Sequence, residues 1–223
     1  MSTSPPSLRI DFVSDVVCPW CAIGLASLEE ALRRVAGEID VELHIQPFEL
    51  NPQLGADGED AVAHLKSKYG IDDAQVAANQ EAIRARGEAL GFTFDMARRR
   101  RIHNTFDAHR LLHWAHGEGG GAQLALKRAL LKAYFTEGRD VADHDTLVEI
   151  AVSVGLDAVR AREILASGEF AEDVRTIEKF FTDAGVSGVP AIIFERKHLI
   201  SGGWPPEVFE RALRQIATAL PDR

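Results

Sequence analysis

The spacing of apolar positions changes period twice along this chain. Leu8, Ile10 and Phe12 alternate with Arg9 and Asp11, which predicts a strand over 8–14. Leu25, Leu28, Ala31, Leu32 and Val35 then recur at helical spacing, which predicts a helix from Pro19 to Ala36 that Gly37 can stop. Val41, Leu43 and Ile45 alternate again and predict a strand over 40–46. A strand, a long helix and a strand form a right-handed parallel βαβ unit by default. Pro47 to Gly58 reads as loop.

From about Glu59 to Ala184 the period is mostly helical, clearest over 72–90, 103–117, 122–135, 145–154, 157–167 and 170–184. Glycines separate these stretches, and Asp157 suits a helix N-cap. Helical period ends near Gly185. Ala191 to Phe194 is a short apolar strand, Arg196-Lys197 a turn, and His198 to Ser201 a return strand. Pro205 opens a last helix with Val208, Phe209, Ala212, Leu213 and Ile216 on one face. The fold class is therefore α/β. Residues 8–50 and 185–219 form a discontinuous domain around a four-stranded mixed sheet, and 51–184 form an inserted, all-helical domain between its βαβ and ββα halves. Residues 1–7 read as a polar, disordered tail.

Composition narrows the function. The chain has 223 residues, 46% hydrophobic and 26% charged, with a net charge of −9. That composition is globular, and the acidic balance argues against a nucleic-acid binder. No stretch approaches the roughly 20 apolar residues of a membrane span. The N-terminus lacks a basic start and an apolar run of signal-peptide length, so the expected location is cytoplasmic.

The chain has only two cysteines, both in Cys18-Pro19-Trp20-Cys21. The motif follows a strand and opens a helix. Proline suits the first helical position, which places Cys18 near the N-cap, where free N–H groups and the helix dipole favour a thiolate. Cys21 lies one turn on, within reach of a disulfide. The expected roles are an exposed nucleophile at Cys18 and a more buried resolving thiol at Cys21. Structural zinc and inert packing are the alternatives, but zinc needs about four ligands and no second cysteine pair exists. Gly188-Val189-Pro190 stands just before a strand. A cis bond there would offer the Val189 backbone to an extended substrate by strand addition, and an ordinary trans turn proline is the alternative.

These pieces together resemble the thioredoxin superfamily, its DsbA-like branch, and within it the FrnE-type proteins. The resemblance rests on Asp15 to Cys21 with Ile23-Gly24, on Asn104 to Leu111, on Gly138 to Val141 with Asp143-His144-Asp145, on Gly185 to Pro190, and on Ile200-Ser201-Gly202. It implies a thioredoxin-like fold with a helical insertion, a dithiol–disulfide oxidoreductase or isomerase with a redox pair at Cys18 and Cys21, and a cis peptide before Pro190. It implies that Asn104 and His109 lie near the cleft, so Pro19, Trp20, Val189, Pro190, Asn104, His109 and Trp204 are expected to bind substrate. Relatives often carry Tyr at Ala22 and Gly-Ala-Gln at Gly202-Gly203-Trp204, and both departures are expected near the site. A sister branch contains glutathione-dependent 2-hydroxychromene-2-carboxylate isomerases and kappa-class glutathione transferases, with Ser at the position of Cys18. An isomerase or transferase acting on an aromatic or polyketide small molecule is therefore the alternative function. No resident cofactor is expected, with glutathione a conceivable co-substrate. The expected partner is a protein or small-molecule thiol or disulfide. No nucleic acid or membrane is expected, and the oligomeric state is open, a homodimer included.

Two further clusters carry weaker signals. His109, His113 and His116 share one helix at metal-compatible spacing, but Leu111, Leu112 and Trp114 interleave with them, so a cleft-lining or solvated face is preferred. Arg98 to Arg101 read as a solvated helix start. Asp11 and Asp15 flank the motif, where one of them can shuttle a proton for Cys21 or sit at the surface.

Overall fold

The computed structural model describes residues 5–55 and 57–219. In chain order the elements are β1 (Ser7–Ser14), α1 (Pro19–Arg34), β2 (Asp40–Pro47), β3 (Glu59–Asp60), α2 (Ala61–Tyr69), α3 (Asp73–Ala89), β4 (Arg101–Ile102), α4 (Phe106–Gly117) and α5 (Ala122–Lys132). After α5 comes a π-helical turn (Ala133–Glu137). Then follow α6 (His144–Ser153), α7 (Ala158–Ala166), α8 (Ala171–Asp183), β5 (Ala191–Phe194), β6 (His198–Ser201) and α9 (Pro206–Ala219). Residues 1–4 of the expected tail lie outside the described residues, and Ser7 already belongs to β1.

The sheet order is β2-β1-β5-β6. β1 runs parallel to β2, with Ile10 opposite Leu43, and antiparallel to β5, with Val13 opposite Ala191. Sheet alternation sends Ile10 and Phe12 to one face, where they join Ile23, Leu28, Phe209 and Leu213 of α1 and α9. Val13 points to the other face, against Phe181 of α8, Val186 and Ala191. β1 is thus central and covered on both sides. That placement rules out the surface role considered for Asp11, which is 1% exposed and paired with Arg9 Nη2 at 2.7 Å and Gln46 Nε2 at 2.7 Å.

Between the two halves lies the expected helical block, with one addition, a short β3–β4 ladder pairing Glu59 with Ile102. Arg98 to Arg101 do not begin a helix. Arg99 is 6% exposed beside the Phe135 ring, and Arg101 lies in β4 and donates to the Asp57 and Gly58 carbonyls. Backbone carbonyls and an aromatic ring give these charges a folded use that a count of like charges does not reveal. Asp72, Asp143 and Asp157 each accept a backbone N–H and cap α3, α6 and α7.

Two glycines set how closely the site's elements approach. A Cβ on Gly24 would stand 3.0 Å from Pro190 Cγ, and one on Gly203 would stand 3.0 Å from the Trp20 carbonyl and 3.2 Å from Ile23 Cγ2. The loop after β6 therefore lies directly on α1, and Arg86 of α3 holds it by donating to the Gly203 carbonyl at 3.0 Å. Gly203→Ala should lower stability by about 1–3 kcal/mol, because backbone has to give way. Gly188→Ala, with nothing within 4 Å of its Cβ, should stay within about 0.5 kcal/mol of wild type. Urea denaturation of the two variants side by side checks the contrast.

Candidate active site

The site begins where β1 ends. Asp15 is fully buried, and its Oδ2 accepts the Leu50 N–H at 2.8 Å while its Oδ1 faces the Val17 N–H at 3.4 Å. These contacts fix the turn that delivers the chain to α1. Cys18 is the N-cap residue of α1 with extended backbone, and Pro19 occupies the first turn. The Cys18 carbonyl accepts the N–H groups of Cys21 and Ala22 at 3.1 and 3.3 Å, so the two cysteines share one turn.

Both cysteines are free thiols. Cys18 is 4% and Cys21 0% exposed. The expected exposed nucleophile is therefore nearly as enclosed as its partner, because the Val189–Pro190 loop lies over it. Cys18 Sγ points at the Val189 carbonyl at 3.6 Å, and the Val189–Pro190 peptide bond is cis. Trp20 and Trp204 are exposed on the rim, and the Trp204 indole N–H donates to the Ser201 carbonyl at 2.8 Å. Tyr69, at the end of α2, also stands near Cys18. Burial pushes its phenol up, and a Cys18 thiolate would push it further.

Two expected site residues have close contacts of their own. Asn104 is part of the α4 start: its Oδ1 accepts the Phe106 N–H at 2.9 Å and its Nδ2 donates to the Leu54 carbonyl at 3.2 Å. His109 is 2% exposed and lies behind the cysteines, with Nε2 at 3.6 Å from Asp15 Oδ1. The other residues of that stretch hold the helical block together. Arg110 donates to Asp107 at 2.7 Å and to the carbonyls of Ile164, Ser167 and Glu169. Ala22 is 2% exposed and faces the interior rather than the rim. Among the described residues no group of three or more His, Cys, Asp or Glu side chains can hold a metal ion.

Sequence reasoning missed Lys127. It lies on α5, its side chain is fully buried, and its Nζ has no hydrogen-bond partner. Leu124 three residues before it and Leu131 four after it share its helical arc, which was the available signal. The electrostatics link it to the cysteines. Burial pushes Lys127 down, while Cys21, Asp15 and Cys18 draw its charge back. Burial pushes the Cys21 thiol well up, Cys18 adds to this, and Lys127 opposes it. For Asp15, burial works upward but is outweighed by His109, the Leu50 N–H and Lys127, leaving the carboxyl below its usual range. A thiol at the N-cap position of a helix, one turn from a buried second thiol, can carry thiol–disulfide exchange.

Comparison with known proteins agrees with this geometry. A probable DsbA oxidoreductase, SCO1869 from Streptomyces coelicolor, superposes with a TM-score of 0.87 at 35% identity, over 97% of this chain and 92% of that one. The uncharacterised protein YwbO of Bacillus subtilis (strain 168) is 27% identical over 93% of this chain and 96% of its own length. The cytosolic disulfide reductase DsbM from Pseudomonas aeruginosa, solved with GSH, shares the fold at 18% identity and a TM-score of 0.63, over 94% of this chain and 99% of that one. The model of the DSBA-like thioredoxin domain matches residues 9–214, and the chain belongs to that family.

Proposed function

We propose that this protein is a dithiol–disulfide oxidoreductase in which Cys18 forms the mixed disulfide with substrate and Cys21 resolves it. The observation that carries this reading is the position of Cys18 Sγ. Cys18 is the N-cap residue of α1, and its Sγ lies 3.6 Å from the Val189 carbonyl, one helical turn from the fully buried Cys21. In the forward reaction the Cys18 thiolate attacks a substrate disulfide, and one substrate sulfur leaves as a thiolate. The Cys21 thiolate then attacks Cys18 Sγ, releasing the second substrate sulfur and closing the protein disulfide. A thiol reductant, glutathione among the candidates, reverses the cycle.

Substrate contact falls to Trp20, Trp204, Val189 and Pro190. A groove of about 340 Å³ runs beside them, lined by Gly188, Val189, Leu199 and Ser201. Its backbone suits strand addition by an extended peptide, with Trp20 and Trp204 as apolar contacts. Asn104 and His109 are not part of this surface.

Insulin reduction or glutathione–disulfide exchange by wild type should exceed background, and Cys18→Ser should return it to background. Equal rates in the two proteins overturn the reading. The difference between the thiols gives a second expectation. Because burial pushes the Cys21 thiol up, iodoacetamide at neutral pH should modify one thiol per folded chain, at Cys18. Cys21 should become reactive only on unfolding. Mass spectrometry of the alkylated peptides reads this directly.

A further inference from the structure

The loop after β2 meets α8 through two buried carboxylates that share one cation. Arg175 Nη1 donates to Glu49 Oε1 and to Glu178 Oε2, the latter at 2.8 Å. One nitrogen serving both holds the two carboxyls side by side. The Glu49 side chain is 2% and the Glu178 side chain 13% exposed, while Arg175 reaches in from the surface across the Phe106 ring at 3.9 Å. The second oxygens, Glu49 Oε2 and Glu178 Oε1, are both buried with no hydrogen-bond partner. Full ionisation would set two negative charges against one guanidinium and leave these two acceptors without a donor. Both conditions are costly in a buried place. A single proton removes both, because one carboxyl then donates to the other.

We propose that Glu49 and Glu178 hold one proton between them at neutral pH and form a pH-operated latch, which clamps the loop after β2 to α8 and releases it when the proton leaves. The latch goes beyond the oxidoreductase reading and needs no redox step. Its position connects it with the site. Glu49 precedes Leu50, whose N–H donates to Asp15 at 2.8 Å in the turn that leads to Cys18. Phe48, on the other side of Glu49, packs in one apolar cluster with Ile177 and Phe181 of α8, and the same cluster takes in Val189 and Ala191. Opening the latch therefore loosens the support of the Asp15 turn and of the Val189 loop together.

Each element packed around the pair brings its own charges. The turn after β1 brings Asp15, which adds to the upward push on Glu178, and α4 brings His109, which draws Glu49 down. On β2, Glu42 and His44 meet at 2.9 Å. From α2, Lys68 donates to the Leu50 carbonyl at 2.9 Å and to Asn51 at 2.7 Å. On α8 itself, Lys179 pairs with Asp183 at 2.8 Å, and Asp173 acts on His113 of α4. Burial pushes both carboxyls of the pair up, the charge of Glu178 adds to this at Glu49, and Arg175 opposes the rise without reversing it. A carboxyl raised in the folded chain keeps its proton after the unfolded chain has lost it. The folded state then binds more protons, so stability falls as pH rises above about 4.3, the ordinary glutamate value, until the pair has ionised.

Urea unfolding of wild type, Glu178→Gln and Glu49→Gln between pH 5 and pH 8 reads the proton, because an amide keeps a donor and cannot ionise. Over that range the folded-to-unfolded ratio of each variant should gain about tenfold on wild type, as for an acid tenfold weaker folded than unfolded. Hydrogen exchange of α8, corrected for its intrinsic rise with pH, reads the release. Protection should fall over the same range in wild type and hold in the variants. Stabilities of variant and wild type that run parallel with pH overturn the proposal, as does α8 protection that stays constant in wild type. If both variants misfold, a carboxyl-carbon NMR titration of wild type decides. Glu49 and Glu178 titrating well above about 4.3 support the shared proton, and both titrating near that value overturn it. None of these measurements uses activity, so a wild type without disulfide exchange overturns the oxidoreductase reading and leaves the latch standing.

Discussion

The register between β1 and β5 is the constraint on which the site depends. Val13 stands opposite Ala191 in an antiparallel pair. Residues just after β1 must therefore lie beside residues just before β5, which brings the Asp15–Cys18 turn against Val189 and Pro190. A slip of one residue would turn Val13 toward α1 and Phe12 toward α8, exchanging the two buried faces of the central strand. Hydrophobic burial on both sides forbids that slip, so the same packing that stabilises the sheet fixes Cys18 under the Val189 carbonyl. The close approach of Gly24 to Pro190 and of Gly203 to Trp20 completes the enclosure.

Behind this pocket the protein tolerates a costly arrangement. Burying an ammonium and a carboxylate costs several kcal/mol per ion before their attraction is counted, and a well-packed apolar pair would serve stability as well or better. Lys127 does not even recover a hydrogen bond. Asp15 is better placed, since its backbone contacts with Leu50 and Val17 shape the turn into α1. A structural purpose therefore accounts for Asp15 and leaves Lys127 unexplained. The reason lies in its electrostatics: positive charge on Lys127 opposes the upward push that burial gives the Cys21 thiol.

Local pattern was enough to read the strands and most helices. β5 and β6 span the residues that alternation and turn chemistry indicated, and Pro19 begins α1 as its fixed φ suggests. What local pattern could not show was the second layer of contacts. Alternation placed Asp11 on a polar face, but α8 covers that face and Arg9 and Gln46 satisfy the carboxylate. The family motif around Asn104 and His109 suggested a cleft wall. In the structure Asn104 accepts the Phe106 N–H at the start of α4, Arg110 ties α4 to a carbonyl after α7, and His109 is buried. Cys18 looked exposed because a helix start usually is. The loop that covers it arrives from 171 residues away, a distance no window along the sequence spans.

The inserted block changes meaning once Lys127 and His109 are placed. Helices that only roofed a groove would need an apolar underside and nothing more. α4 and α5 instead carry a histidine and a lysine into the space behind the cysteines, where the α/β half contributes only Asp15. The two halves are thus chemically incomplete apart: one holds the sulfurs, the other most of the acid–base groups near them. The helical block thus lends the sheet half buried charge near Asp15 and the cysteines as well as an apolar surface to pack on.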